Sequence, residues 1–217
     1  MLFAGFGMQH SISGIGEHQF GEIITYDMII AKDPTIQQTQ SDNVEKQLRD
    51  DAIKYSMPIH YSELHVTPNA SGDKQDVKLL VPSDPAKLSN YITLEERKGK
   101  EKISLEDGSI IISERLAKSF DVSIGDTIVM QDANNNSYEM KVGGICEMYM
   151  GHFAFMNETT YEQVFNQDYT DNAYFVSLHD RSIANANTQA AVFMDLPGVK
   201  GIVQNTTLIT QIDTIVN

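Results

Sequence analysis

The stretch from Asp107 to Phe165 constrains the fold most, because turn and strand signals alternate there at short intervals. Ile110–Ile112 is an apolar, β-branched run that follows an Asp-Gly turn, which favours a short strand. Thr127–Gln131 and Ser137–Val142 are predicted to be strands of one hairpin, since the loop between them is rich in Asp and Asn. The stretch therefore predicts a compact, β-rich module.

Two short helices accompany these strands. Ser113 is expected to cap the first helix, because a Ser side chain can accept hydrogen bonds from the free N–H groups of a first turn. Asn157 or Thr159 is expected to start the second. Each helix places three apolar side chains on one face: Leu116, Ala117 and Phe120 in the first, and Tyr161, Val164 and Phe165 in the second.

Gly143 and Gly144 follow the hairpin and predict a bulge or a close approach of two backbones. The strand is predicted to continue from Ile145 to Phe155. Strand alternation then places Met148, Met150 and His152 on one face and Tyr149 on the other. A Gly144→Val replacement is expected to lower stability, because a glycine that serves a bend or a close approach has no tolerant substitute.

The parts of the chain outside this module predict two matched strand–helix–strand units. The first comprises a strand at Phe20–Ile30, a helix from Ser41 or Asp42 to about Lys54 that ends before Pro58, and a strand at Ile59–Val66. The second comprises a strand at Ala173–His179, a helix from Ser182 to about Met194, and a strand at Gly201–Gln204.

These units predict an α+β fold with a packed sheet and helices on one face of it. We expect two subdomains. Residues 17–66 and 172–217 form a discontinuous α/β subdomain, and residues 67–171 form an inserted β-rich subdomain that also contains a strand at Val77–Val81. The charged run Glu95–Lys102 within the insertion is predicted to be a solvated hairpin or loop.

The charge of the chain limits its partners. A formal net charge of −14 argues against nucleic acid and against an anionic lipid surface, since both are recognised mainly by Lys and Arg. The single cysteine, Cys146, excludes an internal disulfide and lies in an apolar run, where an inert core role is favoured over a nucleophile.

No catalytic constellation is apparent, and no cofactor or metal ion is expected. His60 and His65 are five residues apart on a predicted strand, so they face opposite sides and do not share a metal simply. Asp132, Asn134 and Asn136 have the spacing of a calcium loop, but the glycine of such a loop is missing and a plain hairpin turn is favoured. His152 is either hydrogen-bonded to backbone at a strand bend, which is favoured, or a hinge or ligand contact.

The ordered combination of these motifs resembles the large extracytoplasmic domain of FtsX-like, MacB-type ABC transporter permeases. The resemblance rests on I-I-I-S-E-R-L-A-K, V-S-I-G-D-T-I, V-G-G-I-C-E-M-Y-M-G-H-F-A-F-M-N and Y-E-Q-V-F, and the M-G-H-F-A-F-M-N segment is similar to the Gram-positive variety. It implies a MacB-like periplasmic core domain, with a membrane-proximal subdomain built from both ends of the chain and a distal, β-rich one. Residues 1–16 and Asn205–Ile212 then resemble the ends of two transmembrane helices, whose remaining parts are absent from this chain.

The same resemblance implies a non-catalytic domain on the extracytoplasmic side of the cell membrane. It would couple motion of the membrane helices to an extracellular protein, peptide or lipophilic client, and a separate cytoplasmic ATPase subunit would hydrolyse ATP. Export, lipoprotein handling and regulation of a cell-wall hydrolase all stay open. Gly144, Tyr149, Gly151 and His152 are candidates for a hinge or a partner contact. The alternative is a secreted module that binds a ligand in a cleft between two subdomains.

Overall fold

The structure is a computed structural model in which residues 14, 16–67 and 73–205 are described. Its α-helices are α1 (Gln38–Gln47), α2 (Glu114–Phe120), α3 (Glu158–Phe165) and α4 (Ile183–Met194). Its strands are β1 (Met28–Lys32), β2 (Ile53–Val66), β3 (Gln75–Pro82), β4 (Ile110–Ser113), β5 (Thr127–Gln131), β6 (Ser137–Cys146), β7 (Phe153–Phe155), β8 (Ala173–Leu178) and β9 (Val199–Gln204). The predicted α+β class is confirmed.

The packing of the described residues divides the chain into two units. The first unit comes from Met1–Met57, Ser89–Thr93 and Asn172–Asn217, and the second from Pro58–Leu88 and Leu94–Asp171. The predicted division assigned all of 17–66 to the first subdomain, whereas the chain passes between the units within β2. The reason is that β2 pairs with β3 from Ile59 onward, along the rest of its length.

In the first unit, β1 lies between β8 and β9 and is antiparallel to both. Because β1 comes from the first predicted strand–helix–strand segment and β8 and β9 from the second, this sheet joins the two ends of the chain. One face of the sheet packs against α1 and α4. The core on this face contains Met28, Ile30, Val176 and Leu178 from the strands, and Val44, Ala186, Ala190 and Phe193 from the helices.

The predicted strand at Phe20–Ile30 is only partly correct. Gln19–Ile23 is a π-helical turn, and β1 begins at Met28. An apolar run of this length does not distinguish helix from strand by its periodicity, which is why the prediction failed there.

The first predicted helix also differs in its bounds. It begins at Gln38, because Gln37 caps it in a reciprocal pair of bonds with Gln40. It ends at Gln47 rather than near Lys54, since the Asp50 side chain accepts from Ala52 N at 2.9 Å and turns the chain into β2. Pro58 therefore lies inside β2 and does not end the helix.

The second unit is a ring of six strands. Its pairings run β2–β3, β3–β7, β7–β4, β4–β6, β6–β5 and β5–β2, of which β3–β7 and β4–β6 are parallel. Alternate side chains of these strands form one buried core: Leu64, Val66, Val77, Leu79, Val81, Ile110, Ile112, Ile128, Met130, Met140, Val142 and Ala154. The hairpin of β5 and β6 was predicted, but the closure of the strands into a barrel was not.

The predicted strand from Ile145 to Phe155 is wrong. β6 ends at Cys146, and only Phe153–Phe155 returns to strand. Glu147 N leaves the β-ladder to donate to Glu95 O at 2.8 Å, which diverts the chain into a loop. The alternation predicted for Met148, Met150, His152 and Tyr149 therefore does not exist, because these residues lie in that loop.

The paired glycines form the predicted bulge. Ile110 pairs with Val142 and Ile111 pairs with Gly144, so Gly143 is the extra residue on β6. The Ile103 side chain packs closely against the backbone at Gly144, since a Cβ there would lie 2.7 Å from Ile103 Cγ2.

The two predicted caps have different outcomes. Asn157 caps α3, and its side chain accepts from Thr160 N. Ser113 precedes α2, but its side chain makes no bond to the first turn. Its buried hydroxyl accepts from Phe153 N at 3.1 Å instead, and this bond holds β7 beside β4.

Candidate functional site

The charged run Glu95–Lys102 forms a tight hairpin in the second unit. A bridge joins Glu95 to Lys102, and Glu96 N donates to Glu101 O at 2.9 Å. The four residues 97–100 form its loop, in which Gly99 and Lys100 have φ of +85° and +56°. Of the two predicted alternatives, a solvated hairpin or a solvated loop, the hairpin is present, but several of its charged side chains form ion pairs.

The buried carboxylate of Glu147 ties the hairpin to the loop that follows β6. Glu147 is 3% exposed, and its carboxylate accepts from Lys100 Nζ and from Tyr149 Oη. Lys100 Nζ also lies 3.2 Å from Glu95 Oε1. The bond from Lys100 to Glu147 is the largest cause that raises the pKa of Lys100. The separate bond from Tyr149 to Glu147 raises the pKa of Tyr149, and burial adds to that rise. These bonds fix the position of Tyr149 relative to the hairpin.

A second ion-pair network involves Arg97 on the hairpin and α2. Arg97 Nε and Nη2 lie 2.7 and 2.6 Å from Glu114 Oε2, and Lys118 Nζ lies 2.8 Å from Glu114 Oε1. Burial opposes ionisation of Glu114, but the bonds from Lys118 and Arg97 outweigh it and hold the pKa of this carboxyl below its usual range. The Arg97 guanidinium also stacks over the Tyr149 ring, 4.3 Å from its centroid. Its position is therefore set from two sides.

These contacts border an open surface pocket of about 370 Å³ in the second unit. Arg97, Glu114, Arg115, Lys118, Ser119, Met148 and Tyr149 line it, and we call it the Arg115 pocket. Three of these side chains are cations and one is a carboxylate, in a chain whose formal net charge is −14. The pocket therefore has the opposite charge to the chain as a whole.

The four predicted site residues are not all in one place. Tyr149 lines the Arg115 pocket, whereas Gly144, Gly151 and His152 are not among its lining residues. Gly151 has φ of +76° and closely approaches the Phe153 ring, so it shapes the loop between β6 and β7.

The His152 side chain is half-buried beside this loop. Its ring is hydrogen-bonded to the backbone of Asp76, its carbonyl accepts from Lys78 N at 2.9 Å, and its Nε2 is buried without a partner in the described structure. Burial, and then the nearby Arg115, lower the pKa of His152. These contacts hold the ring at the backbone of β3.

The cationic residues of the pocket were not predicted as a site. Glu114 and Lys118 are an i, i+4 pair on α2, which is a local signal for an ion pair. Arg97 and Tyr149 are distant in the sequence, and only the fold brings them together.

Two of the side chains that were considered as metal ligands make ordinary structural hydrogen bonds instead. Asp132 accepts from the backbone N–H groups of Asn134 and Asn136, as in a hairpin turn. His60 bonds Thr170 O and the Ser62 hydroxyl at 2.8 and 2.7 Å. Over residues 14, 16–67 and 73–205, no group of three or more His, Cys, Asp or Glu side chains is placed to hold a metal ion.

Comparison with known proteins gives structural neighbours only. No family model and no curated protein sequence matches the chain. The periplasmic region of MacB from Actinobacillus actinomycetemcomitans aligns with a TM-score of 0.42 and 13% identity, over 89% of this chain and 95% of that one. The extracellular domain of the noncanonic ABC-type transporter YknZ from Gram-positive bacteria aligns with a TM-score of 0.41 and 11% identity, over 82% and 99%.

The chain is similar to extracytoplasmic domains of ABC-type transporters. Within the described ranges, none of the helices has both the length and the apolar character that crossing a bilayer requires.

Proposed function

We propose that this chain is a non-catalytic, extracytoplasmic domain of an ABC transporter permease. The observation that carries the proposal is the route of the chain through the first unit. β1 and β9 are neighbouring antiparallel strands, with Met28 opposite Gln204, while the second unit is inserted between them in the sequence. A domain attached at both ends to membrane helices needs entry and exit points that lie side by side.

The first unit is also secured at these points. Asn205 N donates to Asp27 O at 3.2 Å, and the Asp27 carboxylate binds Arg181 Nε at 2.9 Å. Arg181 Nη2 in turn donates to Phe20 O and Ile24 O, just before β1. The entry and exit segments are therefore bonded to each other, which supports their movement as one body when the attached helices move.

In the proposed function, a separate cytoplasmic ATPase subunit supplies the energy. Movement of the membrane helices would displace the first unit, and the inserted unit would carry that motion to an extracellular protein, peptide or lipophilic client. Gly144, Tyr149, Gly151 and His152 are proposed as positions that shape the moving loop or contact the client. The closed barrel of the second unit suits this role, since it has few exposed strand edges.

Cysteine labelling in intact cells tests the proposed location. Asn134 is exposed on the loop between β5 and β6, and an Asn134→Cys variant of the full-length protein is made in a background without cysteines outside this chain. Buried Cys146 serves as the internal control that stays unlabelled in the folded protein. A membrane-impermeant maleimide is expected to label Asn134→Cys before lysis, and the labelled protein is expected in the membrane fraction.

Two results would contradict the proposal. Labelling that requires lysis would place the domain on the cytoplasmic side. Labelled protein that is recovered from the medium, with none in the membrane fraction, would favour a secreted ligand-binding module.

A further inference from the structure

We propose that the Arg115 pocket binds an anionic group, a carboxylate or a phosphate, on a ligand that has an apolar part next to that group. The inference does not depend on the permease assignment, because all lining residues belong to the second unit. Tyr149 is the only lining residue that the sequence resemblance named as a candidate contact.

The lining residues of the pocket carry more positive than negative charge. Arg97 and Lys118 both bind Glu114, so one carboxylate serves two cations. Arg115 adds a third cation, and its bond within the pocket is a contact of 3.4 Å from Nη1 to Tyr149 O. The lining residues therefore carry a net charge of +2, of which the neighbouring Glu147 carboxylate offsets a part at Arg97, and an anion of the ligand can compensate the rest.

The geometry of the cations carries the second step. A guanidinium presents parallel N–H groups that match the two oxygens of a carboxylate or a phosphate. Arg97 is already oriented by Glu114 and by stacking on the Tyr149 ring, so little of its freedom is lost on binding. Arg115 is exposed and has N–H groups available beyond its one backbone contact. The pocket thus combines one fixed guanidinium with one adaptable guanidinium.

The remaining lining residues account for the apolar part of the ligand. Met148, which is 1% exposed, and Tyr149 line the pocket, and Glu147 holds the Tyr149 ring through the phenol oxygen. The volume of about 370 Å³ lies at the lower end of the range for small-molecule sites, roughly 300–1,000 Å³. A single ring or a short aliphatic chain that bears one anionic group therefore fits the pocket.

Titration of the 217-residue chain with matched small molecules tests this inference. Phenylacetate and phenyl phosphate carry the two anions, and phenylacetamide is the neutral control. Backbone amide shifts in two-dimensional NMR are expected to saturate at 97, 114–119 and 148–149 with at least one of the anions. The anion that binds more tightly identifies the ligand class.

Two variants with the same change of charge give the decisive comparison. Arg115→Gln removes the adaptable guanidinium and is expected to weaken binding about ten- to a hundredfold, as for loss of a charged hydrogen bond. Lys87→Gln removes an exposed cation of the same unit that lies outside the pocket, and it is expected to leave affinity unchanged. Unchanged amide shifts away from each substitution verify that both variants are folded.

Four results would each overturn the inference. They are the absence of saturable shifts with both anions, shifts scattered over the surface, equal binding of phenylacetamide, and equal weakening by the two variants. The last would mean that the ligand senses only the net charge of the protein.

Discussion

Gly144→Ala tests how closely β6 approaches the segment before β4. A Cβ at this position would lie 2.7 Å from Ile103 Cγ2, about 0.7 Å closer than the 3.4 Å at which ordinary contacts begin, and 3.3 Å from Ile111 Cγ1. The backbone of Gly144 is not in the left-handed region, so the cost is steric and not conformational. Ile103 yields with difficulty, because its side chain is branched at Cβ and its N donates to Leu94 O at 3.0 Å.

Overpacking of this kind costs about 1–3 kcal/mol of unfolding free energy. For a chain of this size, each kcal/mol lowers the melting temperature by about 2–4 °C. Urea unfolding followed by tyrosine near-ultraviolet circular dichroism is a suitable assay, since the chain has nine Tyr and no Trp. The Gly144→Val change is expected to cost more than Gly144→Ala, because it adds two further methyl groups to the same space.

A control and a rescue separate the close contact from general effects of glycine replacement. Gly201 lies in β9, where an added Cβ would have no heavy atom within 4 Å, so Gly201→Ala is expected to be neutral or to stabilise by about 0.4–1 kcal/mol. Ile103→Ala removes the methyl that blocks Gly144, and in that background Gly144→Ala is expected to cost clearly less, because only the 3.3 Å approach to Ile111 Cγ1 is left. The reasoning is refuted if Gly144→Ala leaves stability unchanged, or if its cost is the same with and without the Ile103 side chain.

Three further predictions concern buried polar groups. Asp27→Ala is expected to lower the unfolding free energy by about 2–3 kcal/mol in urea titrations. The substitution leaves the Arg181 guanidinium, whose side chain is one third exposed, without its carboxylate partner. An effect below about 0.5 kcal/mol, the size typical of a surface substitution, would contradict this. Burial lowers the pKa of His60, so the unfolded state takes up a proton first and stability is expected to fall as the pH drops below about 6.5. His60→Gln should reduce this dependence of the unfolding free energy on pH, whereas substitution of the exposed His179 by Gln should not. An equal pH dependence in the two variants would refute the assignment. Burial raises the pKa of the Cys146 thiol to about 12, so Ellman's reagent at a pH of about 8 should detect it only in denaturant, and rapid reaction of the native protein would refute its burial.

Local patterns predicted the elements whose stability is decided by nearby residues. The hairpin of β5 and β6, the cap at Asn157 and the bulge at Gly143 all follow from turn chemistry, from a cap or from paired glycines within a few residues. Strand β3 was also predicted, because its apolar run at Val77–Val81 is bounded by polar turns.

The errors arose where a distant residue decides the local structure. Ser113 was expected to cap α2, but Phe153 N, forty residues later, takes its hydroxyl. The chain leaves β6 after Cys146 because Glu147 N finds Glu95 O on the hairpin. A local sequence pattern cannot predict that Phe153 binds Ser113 or that Glu95 binds Glu147.

The Arg115 pocket was missed for the same reason. Its lining comes from the hairpin at Arg97, from α2 and from the loop at Tyr149, which are separate in the sequence. The buried Glu147 carboxylate that positions this loop lies in an apolar run that was predicted to be strand throughout. Closure of the barrel likewise depends on pairings such as His65 with Gln131, which join distant parts of the chain.

The central claim is that the two units transmit motion from membrane helices, and distances between spin labels test it most directly. One label is placed at Asn187 on the exposed side of α4 in the first unit, and the other at Asn134 in the second. The control pair, Asn134 and Gln163, lies within the second unit. Pulsed electron paramagnetic resonance is performed on the full-length protein with the ATPase subunit proposed for it, in nanodiscs, without nucleotide and with ATP and vanadate. The distance between the units is expected to change between the two states while the control distance stays constant; identical distributions for the Asn187–Asn134 pair in both states would contradict the account.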